Sequence, residues 1–409
     1  MKTKEIRNYF AISFYLIVII ILSVSCSSGN DDEEKQNSEV ISVINLAKAI
    51  ESPEEPLKMS DFIESVEYIR PEYPETVIKI VFDAAVNDSI MLLETNDRLL
   101  CYTRQGKFLR EISRKGQGPE EHLGIRSSAL CNNLVAIHSN YGRKILWCNT
   151  DGNYLGCTPI SGNVFKINIL DTNTVAVHLH HGISMDDPDL FVAGIINRNG
   201  DTIQLKKTKP YYSKGMAHHS PSIWYCNDTI RVFTCINDTI YSITKNDIIP
   251  KYILELGKYK ISRDAFKDLR LLEDERSQYI YGLSFFETTQ HLLMTFQYDK
   301  KRWVSVYDKN TKKIHSWDRN ADNVDKYGFI HGGGWENDVD GGVNLIAFKS
   351  LNNDYLVSNI LPEKLIFQFY ENKKNINVKY PKKQKDLEKM IKSVDEEENP
   401  IIMFYKLKK

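Results

Sequence analysis

The chain has 409 residues, in which 53 Lys and Arg are set against 54 Asp and Glu for a formal net charge of -1. Such a balance offers no basic field to a phosphate backbone, so nucleic acid is excluded as an expected partner. The hydrophobic share of 42% is that of a globular protein, and the length suffices for one large domain or two small ones.

The N-terminus carries the clearest signal. Lys2, Lys4 and Arg7 precede an uncharged apolar run over residues 9–24, which stops at Ser23-Val24-Ser25-Cys26. A basic start, an apolar core and small residues at its end mark a secretory signal peptide over residues 1–25. An uncleaved membrane helix is the competing reading, but the run falls short of the ~20 residues that span a bilayer core, and no basic stop-transfer flank follows. The stretch resembles the lipobox of bacterial lipoproteins, which implies that Cys26 becomes the first mature residue and is acylated. Acyl chains, at ~0.8 kcal/mol per buried methylene, would then hold the protein on a membrane. Residues 26–40 form a polar tether with Asp31, Asp32, Glu33 and Glu34 in succession. An acidic run in this place resembles the surface-export signal of Bacteroidetes lipoproteins; physically it is equally a solvated linker. The expected location is outside the cytoplasm, on the outer membrane or cell surface, with residues 41–409 as the folded domain.

Six cysteines remain after lipidation, and none forms a C-x-x-C pair, so neither a zinc ribbon nor a thioredoxin-like centre is expected. An oxidising location permits disulfides, and Cys148 with Cys157 and Cys226 with Cys235 each flank an expected hairpin. Buried free thiols are the alternative.

Tyrosine at 22 and phenylalanine at 17, among short Val/Ile/Leu/Thr runs broken by Asn, Asp and Gly, point to β-structure. Residues 78–85 and 89–93 read as two strands, and two more follow over residues 98–112 about a turn at Gln105-Gly106. The two-strand pattern recurs at 144–156, 190–205, 239–254 and 303–317. Further strands precede several copies, at 164–170 and 174–178, and at 222–226 and 229–234. Anchors at Leu99, Ile145, Phe191 and Ile240 are spaced by 46, 46 and 49 residues. Four strands per period of ~40 to 50 residues predict an all-β fold, a six-bladed β-propeller; a pair of β-sandwiches is the competing fold.

The sixth blade is expected from residues 343–348 and 355–359. A short C-terminal helix follows, carrying Leu387, Met390, Ile391 and Val394 at i, i+3, i+4 and i+7, and then a strand at 400–407. Its fourth strand must come from elsewhere. Residues 65–70 would supply it and close the ring, removing exposed sheet edges.

Residues 114–122 read R-K-G-Q-G-P-E-E-H, residues 66–72 V-E-Y-I-R-P-E, and residues 399–408 N-P-I-I-M-F-Y-K-L-K. Together these resemble the six-bladed β-propeller lipoproteins of Bacteroidetes, propellers of the NHL/TolB-like kind. The resemblance implies fold and location and brings no catalytic residue with it. The chain departs from it at Glu121-His122, where a Gly-Glu-aromatic run is typical.

With strands lettered a to d from the channel outward, the d-to-a and b-to-c connections of a propeller emerge on one face. That face is expected to receive Arg114, Lys115 and His122, then His138, Tyr141 and Arg143, then His180 and His181, His218 and His219, and finally His331 and Trp335. Such convergence of polar and aromatic groups suits a ligand or partner site, although loops are polar in any case. No metal or cofactor is expected: in His-Leu-His-His at 178–181 alternate side chains point to opposite faces, and no carboxylate matches them. Gly116-Gln117-Gly118-Pro119 reads as a turn and not as a phosphate cradle, because no helix follows. A helix over residues 262–273 is expected as a passive flap near the mouth. Ser89, Thr202, Thr229 and Thr239 follow Asp and precede Ile, which resembles the O-glycosylation pattern of exported Bacteroidetes proteins; a turn entering a strand reads the same way.

The expected function is that of a binding module for a glycan, peptide or protein partner, attached to a membrane through its lipid anchor. A propeller enzyme, a lyase or lactonase-like hydrolase acting at the channel mouth, is the alternative. The sequence offers neither a nucleophile elbow nor a zinc helix to support it.

Overall fold

Strands with apolar residues at both odd and even positions must bury both faces, and this requirement sets the architecture. The computed structural model describes residues 41–73, 78–95, 97–139, 143–160, 164–179, 190–208, 222–226, 229–233, 238–262, 276–319, 323–324, 330–331, 335–345, 349–350 and 355–408. The chain enters through β1 (Ser42–Asn45), α1 (Leu46–Glu51), α2 (Met59–Phe62) and β2 (Ile63–Ile69). Blade one follows as β3 (Asp83–Val86), β4 (Ile90–Glu94), β5 (Leu99–Thr103) and β6 (Phe108–Glu111). Blade two is β7 (Ile125–Cys131), β8 (Leu134–Ser139), β9 (Lys144–Asn149) and β10 (Tyr154–Pro159). Blade three is β11 (Val164–Ile169), β12 (Thr174–Leu179), β13 (Leu190–Asn197) and β14 (Thr202–Thr208). Blade four is β15 (Ser222–Cys226), β16 (Thr229–Phe233), β17 (Thr239–Ile243) and β18 (Ile248–Glu255). Blade five is β19 (Tyr281–Glu287), β20 (His291–Tyr298), β21 (Lys301–Asp308) and β22 (Ile314–Arg319). A small hairpin, β23 (Asn323–Val324) and β24 (Ile330–His331), precedes blade six. That blade takes β25 (Lys349–Ser350) and β26 (Tyr355–Ile360), then, after α3 (Pro362–Asn375) and α4 (Pro381–Ile391), β27 (Ile401–Leu407).

The fold is thus a six-bladed β-propeller, and its core lies between blades. Met91, Leu93, Leu100 and Tyr102 pack against Ile69, Ile402 and Phe404 of blade six. Their strand neighbours Leu92, Leu99 and Cys101 turn the other way, onto Val135, Ile137 and Leu146 of blade two. The same division recurs at every interface around the ring. Gly106 sits at φ +93° in the β5–β6 turn, where a Cβ would stand 2.8 Å from the carbonyl oxygen of Arg70.

Closure comes from the N-terminal side, as the sequence implies. β2 pairs antiparallel with β27, from Ile63 against Leu407 to Ile69 against Ile402, and forms the outer strand of blade six. The segment before β2 is a strap that the strand pattern does not reveal. β1 adds a fifth, parallel strand to blade four, with Ser42 opposite Tyr252. The strap then crosses blade five, where the Glu54 N–H donates to the Ser316 carbonyl at 2.7 Å and the His315 ring meets the Glu54 carboxylate at 2.7 Å. Finally the Ser60 N–H and hydroxyl donate to the two Asp338 oxygens, each at 2.7 Å.

Several expected elements are corrected. The strand expected at 78–85 begins only at Asp83. The first strand of blade six is described at 349–350, and residues 343–345 form no part of it; residues 346–348 lie outside the described residues. Trp335 and Leu345 exchange backbone hydrogen bonds instead, folding Val339, Val343 and Leu345 into the core between blades five and six. The helix bearing Leu387 and Ile391 is present as α4, but it is preceded by α3 and ends before Val394. Cys148 is buried, Cys157 is exposed, and both are free thiols. β9 and β10 set Cys157 opposite Leu146, while Cys148 stands opposite Tyr154, so the two cysteines are not cross-strand partners. Cys235 and the helix expected over 262–273, apart from Ser262, lie outside the described residues.

One buried carboxylate joins blades four and five. Glu287, with its side chain 0% exposed, pairs with Arg231 at 3.1 Å and Lys309 at 2.8 Å. It also accepts from the Trp224 indole at 3.1 Å and the Tyr252 hydroxyl at 2.8 Å. Burial alone would raise its pKa; the two cations and the Lys309 and Tyr252 hydrogen bonds outweigh that and hold it below the usual range.

Two stability outcomes are expected. Glu287→Gln keeps the shape but leaves two buried cations without their counter-charge, and should cost about 3–5 kcal/mol in urea unfolding. Deleting residues 63–70 should abolish the cooperative thermal transition, since it bares two sheet edges in a fold with ~5 to 15 kcal/mol of total stability. A truncated protein that melted like the full chain would show that the ring does not depend on β2.

Candidate functional site

The innermost strands face a central channel, and their few polar residues decide its chemistry. Asp83 of β3, Ser127 and Ser128 of β7, Lys166 and Asn168 of β11, and Trp224 and Tyr225 of β15 line one cavity of about 650 Å³, open solvent included. The Lys166 ammonium, from blade three, stands 3.6 Å from the Asp83 carboxylate of blade one, so the pair spans the front of blade two. The Ser128 hydroxyl donates to Glu94 at 2.8 Å, while the Ser127 hydroxyl accepts from the Ile167 N–H at 3.2 Å. Both serines are therefore held by the scaffold.

Each first strand descends from the face bearing the d-to-a connections, so the residues just before this lining form its upper rim. There the Arg126 guanidinium lies 4.2 Å over the Phe165 ring, which meets His178 edge-on at 6.3 Å. Arg126 is exposed and has no acidic partner among the described residues. A guanidinium stacked on an aromatic ring loses little further freedom when it binds a carboxylate or similar oxyanion.

Among the described residues, not all of the expected site side chains reach solvent. Arg114, Lys115 and Arg143 are exposed, and Lys115 pairs with Asp97 at 3.2 Å. His122 is fully buried between blades one and two, His138 is 5% exposed, and Trp335 packs against Trp317 in the core. These three are corrected from ligand contacts to interior residues: His138 belongs to β8 itself, paired with Ser127 and Ile145, while His122 and Trp335 lie in connections that fold inward. His331 lies in β24, but its side chain lies outside the described residues, as do Tyr141, His180, His181, His218 and His219. The Gly116–Gly118 turn is closed by the chain itself, since the Glu121 carboxylate accepts the Gly118 N–H at 2.8 Å. That carboxylate lies 2.0 Å from where a Gly116 Cβ would stand.

Sequence reasoning missed Asp83, Arg126, Phe165 and Lys166. One signal was available, a lone charge inside an otherwise apolar first strand, as in D-A-A-V and V-F-K-I-N-I. Among candidate O-glycosylation positions, Ser89 and Thr202 are exposed, whereas the Thr229 hydroxyl donates to the Cys226 carbonyl and accepts from Arg231. Thr239 is half-buried.

Burial, with a smaller contribution from Arg126, pushes the His138 pKa down to about 4. Below the unfolded value near 6.5, the unfolded chain takes up a proton that the folded one refuses. Stability should therefore fall by about 1.4 kcal/mol per unit as pH drops from ~6.5 toward 4, with His122 adding in the same direction. Urea titrations at pH 7, 6 and 5 check this, and His138→Leu should flatten the slope by one proton.

Comparison with known proteins gives this geometry its context. A family model described as a domain of unknown function, DUF4934, matches residues 41–406. No curated protein matches the chain in sequence. Among solved structures, a Bacteroides fragilis protein described as exported is 19% identical, with a TM-score of 0.64, over 90% of this chain and 100% of its own. A DUF4221 member from Bacteroides vulgatus is 9% identical, with a TM-score of 0.47, over 85% of this chain and 97% of its own. The first likeness supports the fold alone. With the family model covering the whole propeller, the chain belongs to the DUF4934 family.

Proposed function

We propose that the protein is a lipid-anchored, extracytoplasmic binding module that takes its partner on the face built from the d-to-a and b-to-c connections. The observation that carries this reading is Arg126, an exposed cation stacked on Phe165 at the channel rim without an acidic partner among the described residues. The signal-like N-terminus and Cys26 support the location. Ser89 and Thr202 follow the a-to-b turn of blade one and the c-to-d turn of blade three, on the other face. Glycans attached there would leave the binding face clear.

Membrane fractionation tests the anchor, because a thiol at position 26 is what accepts the diacylglyceryl chain. Wild type should partition with the membrane and resist salt and carbonate washes; Cys26→Ser should carry no acyl label. An unlabelled wild type, or a labelled variant, would dismiss lipidation at this residue. Screening the detergent-extracted protein against glycan and peptide panels tests the binding role.

A further inference from the structure

The rim of blades one and two carries exposed apolar side chains as well as cations. Ile80 is 52% exposed and Phe82 56%, both in the connection entering blade one, and Leu123 is 38% exposed in the connection entering blade two. The Phe82 N–H donates to the Glu94 carbonyl at 2.9 Å, which fixes Phe82 to the top of the blade-one sheet, next to the channel residue Asp83. Arg126 stands at the corresponding end of β7. Arg114 lies in the connection before that strand and Arg143 in the β8–β9 connection, both exposed and without an acidic partner among the described residues. The Lys144 ammonium donates to the Gly118 and Pro119 carbonyls at 3.2 and 3.1 Å, which ties these two connections together.

From this placement we propose that the rim of blades one and two docks an acidic polypeptide segment that also carries apolar side chains. The inference rests on the binding reading above and names its partner class. Three arginines lacking acidic partners call for carboxylates, which guanidinium groups hold in paired hydrogen bonds. Ile80 and Leu123 then decide between polymers. Aliphatic side chains gain by burial against other apolar side chains, whereas a sugar ring needs a flat aromatic face; with the Phe165 ring covered by Arg126, Phe82 is the single exposed ring among these rim residues, beside two aliphatic ones. Apolar anchors beside arginines, on a fixed scaffold, also match the composition of residues that dominate protein interfaces.

The test is a selection from a random twelve-residue peptide display library on the detergent-extracted full-length protein, beside polygalacturonate as an acidic glycan probe. Enriched peptides should combine Asp or Glu with Leu, Ile, Phe or Tyr, and their binding should weaken as salt rises. Arg126→Glu and Phe82→Ser should each weaken these peptides at least tenfold, with Arg126→Lys recovering part of the loss, while melting temperatures stay at the wild-type value. Basic peptides, binders indifferent to both positions, or no enrichment would overturn the proposal. Polygalacturonate binding that is lost in Arg126→Glu, without peptide enrichment, would overturn it too but leave a binding module standing. Silence from both probes would remove the binding role as well.

Discussion

The ring exists because β2 pairs with β27. Without that ladder, blade six would have two long strands and the short β25, and the cluster of Ile69, Phe404 and Met91 would lose one of its walls. A propeller stores its stability in interfaces between neighbours, so one missing outer strand weakens both the blade that loses it and the seam beside it. The strap extends the same economy. β1 covers the outer edge of blade four, Glu54 pairs with the edge of blade five, and Ser60 locks onto Asp338 before β2 completes blade six. Three consecutive outer edges, each a row of unpaired backbone groups in an open sheet, are met by one continuous segment.

Polar groups inside this ring are organised by the same rule of shared seams. Glu287 is tolerable at 0% exposure because four donors from blades four and five converge on it. The Asp83–Lys166 pair plays a looser version of that part across the channel, at 3.6 Å and in contact with solvent. One group of charges holds blades together, and the other leaves chemistry available at the centre.

Much of this was legible in the sequence, for identifiable reasons. The spacing of Leu99, Ile145, Phe191 and Ile240 revealed the blades because each stands at or near the start of a third strand, three of them fully buried and Phe191 half-buried, repeated with the ring. The closing strand was legible because a strand at 400–407 lacked a partner downstream. The strap was not, since S-V-I-N is too short to stand out and its pairing is parallel and remote. Val343 and Leu345 misled because they serve packing in the core beside α3 and α4 as well as they would serve a strand. For the site, the direction of each side chain was not legible. His122, His138 and Trp335 turn inward, while Arg126 and Phe165, hidden in strand-like runs, form the rim.

The pairing of Ile63 with Leu407 also orders the life of the chain before it is folded. A ribosome delivers the outer strand of blade six hundreds of residues ahead of the strand it must meet. Blades one to five can assemble from local hairpins as they appear, but the ring stays open until the last strand arrives, and contacts between such distant positions form slowly. During that interval β2 is an unpaired strand with an apolar face. An export route that keeps the chain extended until synthesis is complete would suit such a topology, because it lets the two ends of the ring become available together.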